Sequence, residues 1–306
     1  MNNWKEKSLL YKLFFTEIWH LAIISSKKLS NNIANSKSLS LNKKDFIKII
    51  KPELSYSFFA DPFSIKDNDN YYIFFEYLNY RNKKGEIHYR KYNKNLQLIQ
   101  EKVAIRKNFH LSYPYIFKED NNIYIIPEMN GSKESQSIFL FDKEADQFQE
   151  IKINIETLTD PCLIKYKDKY FIFGNKYDKK LSYCSDKIDG DYKKIEYISK
   201  YSELQSGGRV INLDNKIFRP LQISEKTYGE KILFTQIKIQ DDKIIECNDP
   251  VIIESKDHQG LHTISKIDEK YTIIDIKKFK FSILKFLISI QKNINKRKRK
   301  KIHAKT

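Results

Sequence analysis

Short apolar segments alternate with polar turns along most of the chain, and one arrangement of them occurs five times. In the first copy, Ser57–Glu76, an apolar run containing Asp61-Pro62 leads to a polar turn at Lys66–Asn70 and then to an aromatic run at Tyr71–Phe75. Asn and Asp favour turns, and aromatic and β-branched runs favour strands. The pattern therefore predicts a β-hairpin with a carboxylate near each outer end.

The later copies repeat the order of strand, polar turn and aromatic strand. They are Tyr113–Glu128, Asp160–Gly174, Gly208–Pro220 and Leu261–Asp275. Their spacing of about fifty residues is typical of a propeller blade built from several strands. We therefore predict an all-β fold, a five-bladed β-propeller. A two-sheet β-sandwich with coincidental hairpins is the alternative.

The N-terminal segment has a different pattern. Residues 4–28 carry apolar side chains at approximately helical spacing, among them Trp4, Leu13 and Ile18. We expect a short helix packed on the propeller, with a peripheral membrane helix as the alternative. A polar connection follows at 30–44. The predicted domains are a helical segment and linker at 1–45, the propeller at 46–278 and a basic tail at 279–306.

The tail combines apolar and basic side chains. Phe286, Leu287, Ile290 and Ile294 lie on one helical face, and the sequence then becomes strongly basic. A basic amphipathic helix is typical of a segment that lies on an anionic membrane surface. The tail therefore predicts a helix that binds such a surface, and a solvated, disordered tail is the alternative.

The charge of the chain is concentrated in the tail. The net charge is +17, and residues 277–306 hold twelve Lys or Arg and no Asp or Glu, which leaves +5 on the other 276 residues. A mildly basic body with a basic tail does not predict a nucleic-acid-binding face. Nucleic-acid binding would rest on charge alone, and we do not expect it.

Cysteine usage and the absence of targeting patterns bear on location. Cys162, Cys184 and Cys247 are far apart and form no redox or metal motif, so reduced thiols and a cytoplasmic location are expected. Cys162 is predicted to be a buried apolar side chain. No signal-peptide pattern and no run of about 18 apolar residues is present. Attachment to the inner face of the membrane would come from the tail. No motif predicts a cofactor or a metal site.

Candidate chemistry lies at the ends of the predicted inner strands. The first strand of each propeller blade lines the central channel, so polar residues at equivalent positions should converge at one mouth. At the start of first strands these residues are Asp61, His110, Tyr113, Asp160, Arg209 and His262. At the end of second strands they are Glu76, Glu128, Arg219, Gln222 and Asp275. A Glu in an apolar strand is costly to bury unless it is paired, so an ion pair with Arg209 or Arg219 is the structural alternative.

Several carboxylates around a concave site suit glycosyl chemistry. One acts as general base and the other as general acid, and their separation leaves room for an acceptor. Arg209 and Arg219 could hold a phosphate, since guanidinium groups match phosphate geometry. His110 and His262 could carry protons. The sequence has no phosphate-cradling glycine loop and no nucleophile elbow.

A set of short motifs gives the sequence a family resemblance. In order they are Glu17-Ile18-Trp19, Phe59-Ala60-Asp61-Pro62-Phe63, Phe74-Phe75-Glu76, Gly85-Glu86-Ile87, His110-Leu111-Ser112-Tyr113-Pro114, Ile126-Pro127-Glu128, Arg219-Pro220-Leu221-Gln222, Tyr228-Gly229 and His262-Thr263. From about Glu17 to Lys277, the chain resembles the N-terminal domain of plant glucosamine inositolphosphorylceramide transferases and their stand-alone bacterial homologues of surface-polysaccharide loci. The resemblance implies a five-bladed propeller related to glycoside hydrolase family 43.

The resemblance assigns roles to some positions and not to others. Asp61 matches the general-base aspartate of those hydrolases, and Asp160 matches the aspartate that tunes their acid. The general-acid glutamate has no counterpart, because the matching region is Ser206–Arg209. Glu128, from another blade, could replace it. The plant proteins carry a separate glycosyltransferase domain after this one.

Together these observations predict a carbohydrate-active protein of surface-glycan or glycolipid biosynthesis that catalyses glycosyl transfer. Asp61 would be the base, Glu128 or Glu76 the acid or a sugar ligand, and Asp160 an electrostatic partner. The remaining positions would bind a sugar, nucleotide sugar or glycan; they are His110, Tyr113, Arg209, Arg219, Gln222 and His262. A glycoside hydrolase is one alternative. The other is a non-catalytic glycan-binding module that supports a partner glycosyltransferase.

Overall fold

A computed structural model describes residues 14–54, 56–177, 179–247 and 250–282. Regular structure in these ranges is almost entirely strand, with one α-helix, α1 (Ser26–Ala34), and one 3-10 turn (Lys43–Asp45). None of the helices in these ranges has the length and apolar character needed to cross a membrane.

The first three sheets are four-stranded and antiparallel, and the chain builds them one after another. The first is β4 (Ser57–Asp67), β5 (Asn70–Asn79), β6 (Lys84–Asn93) and β7 (Leu98–Ile105). The second is β8 (Ser112–Glu119), β9 (Asn122–Glu128), β10 (Ser137–Asp142) and β11 (Gln147–Lys152). The third is β12 (Thr159–Tyr166), β13 (Lys169–Lys176), β14 (Lys179–Ser185) and β15 (Lys193–Ile195).

The last two sheets also use strands from the N-terminal part of the chain. The fourth has the order β16 (Tyr197–Ile198), β20 (Lys243–Glu246), β19 (Lys231–Gln240), β18 (Lys216–Ile223) and β17 (Ile211–Leu213). In the same sheet, β21 (Val251–Ser255) pairs with β19, and β2 (Leu39–Leu41) pairs with β21. The fifth has the order β22 (Ile264–Lys266), β23 (Tyr271–Phe281), β1 (Phe15–Ser25) and β3 (Lys48–Ile50).

These sheets are the blades of a β-propeller, which confirms the predicted fold class. The five predicted hairpins fall on the two innermost strands of each blade: β4–β5, β8–β9, β12–β13, β17–β18 and β22–β23. Apolar side chains fill the space between blades. Phe63 of the first blade, for example, has its ring centre 4.8 Å from that of Tyr113 and 5.2 Å from that of Tyr115 in the second.

The N-terminal helix predicted over residues 4–28 is wrong for Phe15–Ser25, which is strand β1. Strand β1 pairs along its whole length with β23, and its residues Leu21–Ile23 also pair with β3. One blade therefore contains strands from both ends of the described chain. Leu21, Ala22, Ile23 and Ile24 are all buried. A strand covered on both faces has a continuous apolar run rather than an alternating one, and such a run also satisfies helical spacing.

A helix does follow, at α1, partly within the segment predicted to be a polar connection. It buries Leu29 and Ile33, which lie one turn apart, against the fourth and fifth blades. At the other end of the chain, Phe279–Phe281 belong to β23, so the first residues of the predicted tail are strand. The rest of the tail and the start of the predicted N-terminal helix lie outside the described residues. The domain boundaries stay a prediction.

Candidate functional site

A repeated backbone feature points the inner strands of the first three blades at one mouth of the channel. Asp61, Tyr113 and Asp160 each precede a proline and have φ values of 50°, 46° and 47°. Each lies at a register shift between the two innermost strands of its blade. A left-handed conformation is costly for a non-glycine residue, and more so before proline. Backbone strain of this kind is found mainly at functional sites.

Asp61 lies at the centre of a buried network. Its Oδ1 is 3.1 Å from His262 Nε2 and accepts a 2.9 Å hydrogen bond from the hydroxyl of Thr263. Its Oδ2 accepts a 3.3 Å hydrogen bond from the backbone N–H of Tyr113. On the far side of the imidazole, Nδ1 of His262 is 2.8 Å from Asp275 Oδ2. The first, second and fifth blades therefore meet at one carboxylate–imidazole–carboxylate unit.

This arrangement fixes the charges of the unit. Burial lowers the pKa of His262, but the two carboxylates outweigh burial and raise the pKa to about 10. Burial raises the pKa of Asp61, but the hydrogen bonds and charge of His262 outweigh it and hold the pKa below its usual value. At neutral pH, Asp61 is therefore ionised and His262 is protonated.

A second carboxyl pair lies beside this unit. The Glu128 Oε2 atom accepts a 3.2 Å hydrogen bond from the backbone N–H of Asp160. Burial, followed by the charge of Asp61, raises the pKa of Glu128 to about 7. Burial and the charge of Glu128 raise the pKa of Asp160 well above its usual value. Gln222 donates a 3.0 Å hydrogen bond to Asp160.

Glu76 and His110 form a third pair. The backbone N–H of Gly85 donates a 2.9 Å hydrogen bond to His110 Nδ1, so the proton of the neutral ring is on Nε2. That nitrogen lies 3.3 Å from Glu76 Oε1. Burial, followed by the charge of Asp61, raises the pKa of Glu76 well above its usual value. The surroundings of Glu76 therefore favour its neutral form beside an ionised Asp61.

Tyr228 partly covers the mouth. Its ring centre is 5.3 Å from that of His262, and its surface is 51% exposed. Burial, with the charges of Asp160 and Asp61, raises the Tyr228 pKa well above its usual value. The sequence interpretation placed Tyr228 in a motif but gave it no role.

Three residues predicted to bind substrate are engaged elsewhere. The guanidinium of Arg219 is fully buried, lies 2.8 Å from Glu246 and donates a 2.8 Å hydrogen bond to Ser206. Arg209 donates a 3.1 Å hydrogen bond to the backbone carbonyl of Ser64. The hydroxyl of the buried Tyr113 donates to and accepts from the backbone of Gly208, at 3.1 and 2.8 Å.

These contacts give all three side chains partners within the propeller, and their predicted contact with a substrate stays a prediction. The predicted contact of Arg209 and Arg219 with a phosphate therefore has no support in this geometry. Arg209 and Arg219 do not pair with Glu76 or Glu128 either, since those two carboxyl groups contact His110 and Asp160. Tyr113 contributes to the site through its backbone N–H.

Lys180, near the start of β14, has a perturbed environment that the sequence analysis did not predict. Its ammonium donates a 3.0 Å hydrogen bond to Asn175 and another to the carbonyl of Leu204. Burial and the charge of Arg219 lower its pKa to about 7. The sequence interpretation considered only the first two strands of each blade, and this residue opens a third strand.

Asp61, His262 and Asp275 each offer a ligand atom, and these atoms lie within 4.8 Å of one another, so the group could hold a cation. A metal would need a neutral imidazole nitrogen. Here both ring nitrogens face carboxylates and the pKa of His262 is raised to about 10. The protonated histidine balances the two carboxylates without a metal, and the expectation that the site has none stays a prediction.

A buried acceptor in the mouth remains unused. Among the described residues, Oε1 of Gln222 is buried and has no hydrogen-bond partner. Buried polar atoms are nearly always paired. The arrangement can thus accept hydrogen bonds from the hydroxyl groups of a ligand, and it combines an ionised carboxylate with carboxyl groups that retain a proton.

Comparison with solved structures supports the fold. The chain is 13% identical to a β-1,3-galactosidase of glycoside hydrolase family 43, with a TM-score of 0.53 over 70% of this chain and 49% of that one. It is 12% identical to a family 43 β-xylosidase/α-arabinofuranosidase from a compost microbial metagenome, with a TM-score of 0.53 over 76% and 93%. It is also 12% identical to a family 117 glycoside hydrolase from Zobellia galactanivorans, with a TM-score of 0.51 over 89% of this chain and 92% of that one. At these identities the likeness shows the propeller fold alone.

Sequence comparison gives the family. The chain is 26% identical over 197 residues to glucosamine inositolphosphorylceramide transferase 1 of Oryza sativa subsp. indica, which covers 60% of this chain and 26% of that protein. The same transferase of Arabidopsis thaliana is 25% identical over 201 residues, covering 61% and 26%. The chain thus spans about a quarter of the length of these relatives. A family model described as "Glucosamine inositolphosphorylceramide transferase 1, N-terminal" matches residues 47–281. The chain therefore belongs to the family of glucosamine inositolphosphorylceramide transferase N-terminal domains.

Proposed function

We propose that the mouth of the propeller binds a glycan or glycolipid substrate and catalyses glycosyl transfer in glycolipid or surface-glycan assembly. The observation that carries this proposal is the divergence of two carboxyl groups at the same mouth. The pKa of Asp61 lies below its usual value, whereas the pKa of Glu128 is raised to about 7. Environments that separate two carboxyl pKa values in this way are typical of a base and an acid that act together.

The roles follow from the protonation states. Asp61 is ionised at neutral pH, so it can accept a proton or stabilise positive charge on a sugar ring. Glu128 titrates near neutrality, so it can donate a proton to a leaving group and take one back. Asp160 holds Glu128 through its backbone N–H, and this hydrogen bond moderates the rise that burial and the charge of Asp61 cause in the Glu128 pKa. Gln222 offers a buried acceptor oxygen to a sugar hydroxyl group.

The lack of an acid at the matching position of the fourth blade, Ser206–Arg209, supports Glu128 in that role. At Ser206–Arg209 the backbone runs against the fifth blade, and a Cβ on Gly208 would lie 1.9 Å from the carbonyl oxygen of Ile264. Gly208 also has a φ of 127°, which disfavours a side chain. No carboxylate can replace this residue without moving the backbone. In the proposed mechanism the acid is therefore assigned to another blade, as Glu128.

The proposal is tested by a mass-spectrometric screen of the purified full chain. Nucleotide sugars are combined with lipid-linked or oligosaccharide acceptors, and a parallel set omits the donor so that hydrolysis shows as a loss of mass. We expect a product that Asp61→Asn and Glu128→Gln each reduce at least about a hundredfold, the usual size of an acid–base contribution. Asp168→Asn, an exposed aspartate in the β12–β13 turn, is the control.

Thermal unfolding of each variant separates chemistry from folding. In Asp61→Asn, His262 keeps Asp275 as its partner, so the fold should persist. Full activity of a folded Asp61→Asn protein would refute the assignment of the base.

A second function, a non-catalytic glycan-binding module, is favoured by one observation. Both oxygens of Asp61 already accept hydrogen bonds or face an imidazole, and the residue is buried. A carboxylate engaged in this way is well suited to hold an architecture and less free to take a proton. This function predicts that sugars raise the melting temperature with no product formed, and that part of the stabilisation survives in Asp61→Asn. A partner glycosyltransferase would then supply the chemistry.

A further inference from the structure

The β1–β23 pair continues past the two other strands of its blade as a two-stranded ribbon, in which Thr16 and Ile18 are buried and the carbonyl of Glu17 accepts a hydrogen bond from Tyr80 of the first blade. The outer strand β3 pairs only with Leu21–Ile23, and the inner strand β22 pairs only with Thr272–Ile274. The β1–β23 register nevertheless continues outwards from Trp19–Lys277 to Phe15–Phe281. Four further residue pairs, at a rise of about 3.4 Å each, extend roughly 13 Å. We call residues 15–18 with 278–281 the ribbon.

The ribbon begins at the mouth of the candidate site. The ring of Trp19 is 4.1 Å from that of His262 between centres. The ammonium of Lys277 donates a 2.8 Å hydrogen bond to the hydroxyl of Thr227 and another to the carbonyl of Tyr228. Side chains alternate along a strand. Phe15 and Phe281 therefore lie on the same face of the pair as Trp19, so this face adjoins the mouth.

The ribbon combines exposed aromatic surface with basic charge. Phe281 is 54% exposed, its ring stacks on that of Phe14 at 5.6 Å, and it meets the edge of Phe15 at 5.9 Å. Lys278 and Lys280 alternate with the aromatic residues of β23, and Lys280 is exposed. Glu17, the acidic residue of the ribbon, is 3.9 Å from Lys277.

The sequence that follows the ribbon has the same sign of charge. Residues 283–306 contain nine Lys or Arg and no Asp or Glu. Aromatic groups enter the boundary between headgroups and acyl chains, and adjacent basic groups are attracted to anionic lipid. Stable attachment to a membrane generally needs two such signals. A ribbon of Phe and Lys at the start of a basic segment supplies both.

We propose that the ribbon docks on an anionic membrane surface and holds the mouth of the propeller against the lipid headgroups. This inference rests on the proposed function, because it means that the sugar-bearing substrate is reached in the plane of the bilayer. Charge is the reason for choosing a bilayer over a second copy of the chain. A dimer formed through the ribbons would bring two basic segments together, and the repulsion between like charges is unfavourable.

The test is co-sedimentation of the full chain with vesicles of phosphatidylcholine alone or mixed with phosphatidylglycerol. Phe281→Ser removes exposed apolar surface from the ribbon. Ile99→Ser is the matched control, because Ile99 is also 54% exposed in a strand but lies on β7, in the first blade. We expect binding to mixed vesicles to fall roughly tenfold for Phe281→Ser and to stay unchanged for Ile99→Ser. Equal binding of Phe281→Ser and the native chain would overturn the proposal.

A second measurement locates the ribbon directly. In a Trp4→Phe background, the change Phe281→Trp places a reporter on the ribbon, and the Trp4→Phe parent supplies the signal of Trp19. With mixed vesicles we expect a blue shift of the added emission and quenching by brominated lipid. A vesicle-bound protein whose reporter is neither shifted nor quenched would show attachment through another segment, against the proposal. A dimer in solution that Phe281→Ser dissociates would assign the ribbon to a second copy instead.

The two proposals fail separately. Turnover or thermal stabilisation with soluble sugars depends on Asp61 and Glu128, and Phe281→Ser should leave both unchanged. Loss of vesicle binding with retained sugar binding concerns the ribbon alone. Vesicle binding with no response to any sugar would sustain the docking surface and refute the proposed function.

Discussion

At the scale of single residues, the protein gives opposite ionisation to two carboxyl groups of the same mouth. Asp61 accepts hydrogen bonds from Thr263 and from the backbone of Tyr113, and it faces a protonated imidazole. Glu128 is partly buried, and the backbone N–H of Asp160 is the main group that stabilises its charge. Hydrogen bonds to the charged form lower the pKa of a carboxyl group, whereas burial with few such hydrogen bonds raises it. Whether each carboxyl group is protonated near pH 7 thus depends on how many hydrogen-bond donors contact it.

Glu128→Gln should stabilise the folded protein at alkaline pH. The pKa of Glu128 is raised from 4.5 to about 7, so the folded state favours the protonated form. Its contribution to stability is therefore fully present below about pH 4.5 and is lost as pH rises through 7. Glutamine stays neutral, so the variant should gain about 1–3 kcal/mol relative to the native chain at pH 8 and little at pH 4.5.

Urea denaturation at the two pH values measures this difference. Glu144→Gln, at an exposed turn position, is the control and should change stability by less than about 0.5 kcal/mol at either pH. A Glu128→Gln protein that is less stable than the native chain at pH 8 would show that the buried carboxylate is well paired there. Loss of activity together with the gain in stability would be the trade-off expected of a functional residue.

Sequence patterns locate residues at the mouth but not the partners that set their chemistry. Asp61 and His262 occupy equivalent positions at the start of first strands, and Glu128 ends a second strand, so their convergence at one mouth follows from the repeat. Arg219 also fits the repeat, yet its partner Glu246 comes from β20, a strand without a motif. Only the packing of that outer strand onto the blade brings the two together. A residue's position in a repeat therefore predicts its place more reliably than its role.

At the scale of elements, hairpins were predictable and the blade that combines both ends of the chain was not. A hairpin is local, because its turn residues and its two apolar runs are adjacent in sequence. The pairing of β1 with β23 joins residues about 250 positions apart, and no local pattern encodes it. The side chains of Leu21–Ile24 are buried on both faces of the sheet, so the run does not show the alternation of apolar and polar residues that identifies a strand.

The status of β1 as a central strand predicts unequal effects for two neighbouring isoleucines. Ile23 lies in β1 and is 0% exposed, whereas Ile49 lies in the adjoining β3 and is 38% exposed. Ile23→Ala should cost about 2–5 kcal/mol because it leaves a cavity in the core. Ile49→Ala should cost less than about 1 kcal/mol. Chemical denaturation of both variants measures the difference, and equal small effects would mean that β1 is peripheral to the fold.

At the scale of the whole molecule, the propeller provides a site that no single blade contains. The ionised Asp61, the protonated His262 and Glu128, the proposed acid, come from the first, fifth and second blades. The ring brings Asp61 to 3.1 Å from His262, and it brings the backbone N–H of Asp160 to 3.2 Å from Glu128. The repeat period made this ring predictable from sequence. The distances between side chains that decide their protonation could not be predicted, since they depend on how the blades pack.

Charge is the other property of the whole molecule, and it separates a membrane from a nucleic acid as partner. Removing residues 283–306 takes away nine basic residues and no acidic ones, so the net charge falls from +17 to +8. If duplex DNA binds the full chain, it should do so only through non-specific phosphate contacts, which weaken steeply with salt. We expect the shortened chain to lose that binding while sugars still raise its melting temperature. Fluorescence titration with DNA at several salt concentrations measures the loss. Binding by the shortened chain with an unchanged salt dependence would place a nucleic-acid surface on the propeller itself, against the carbohydrate assignment.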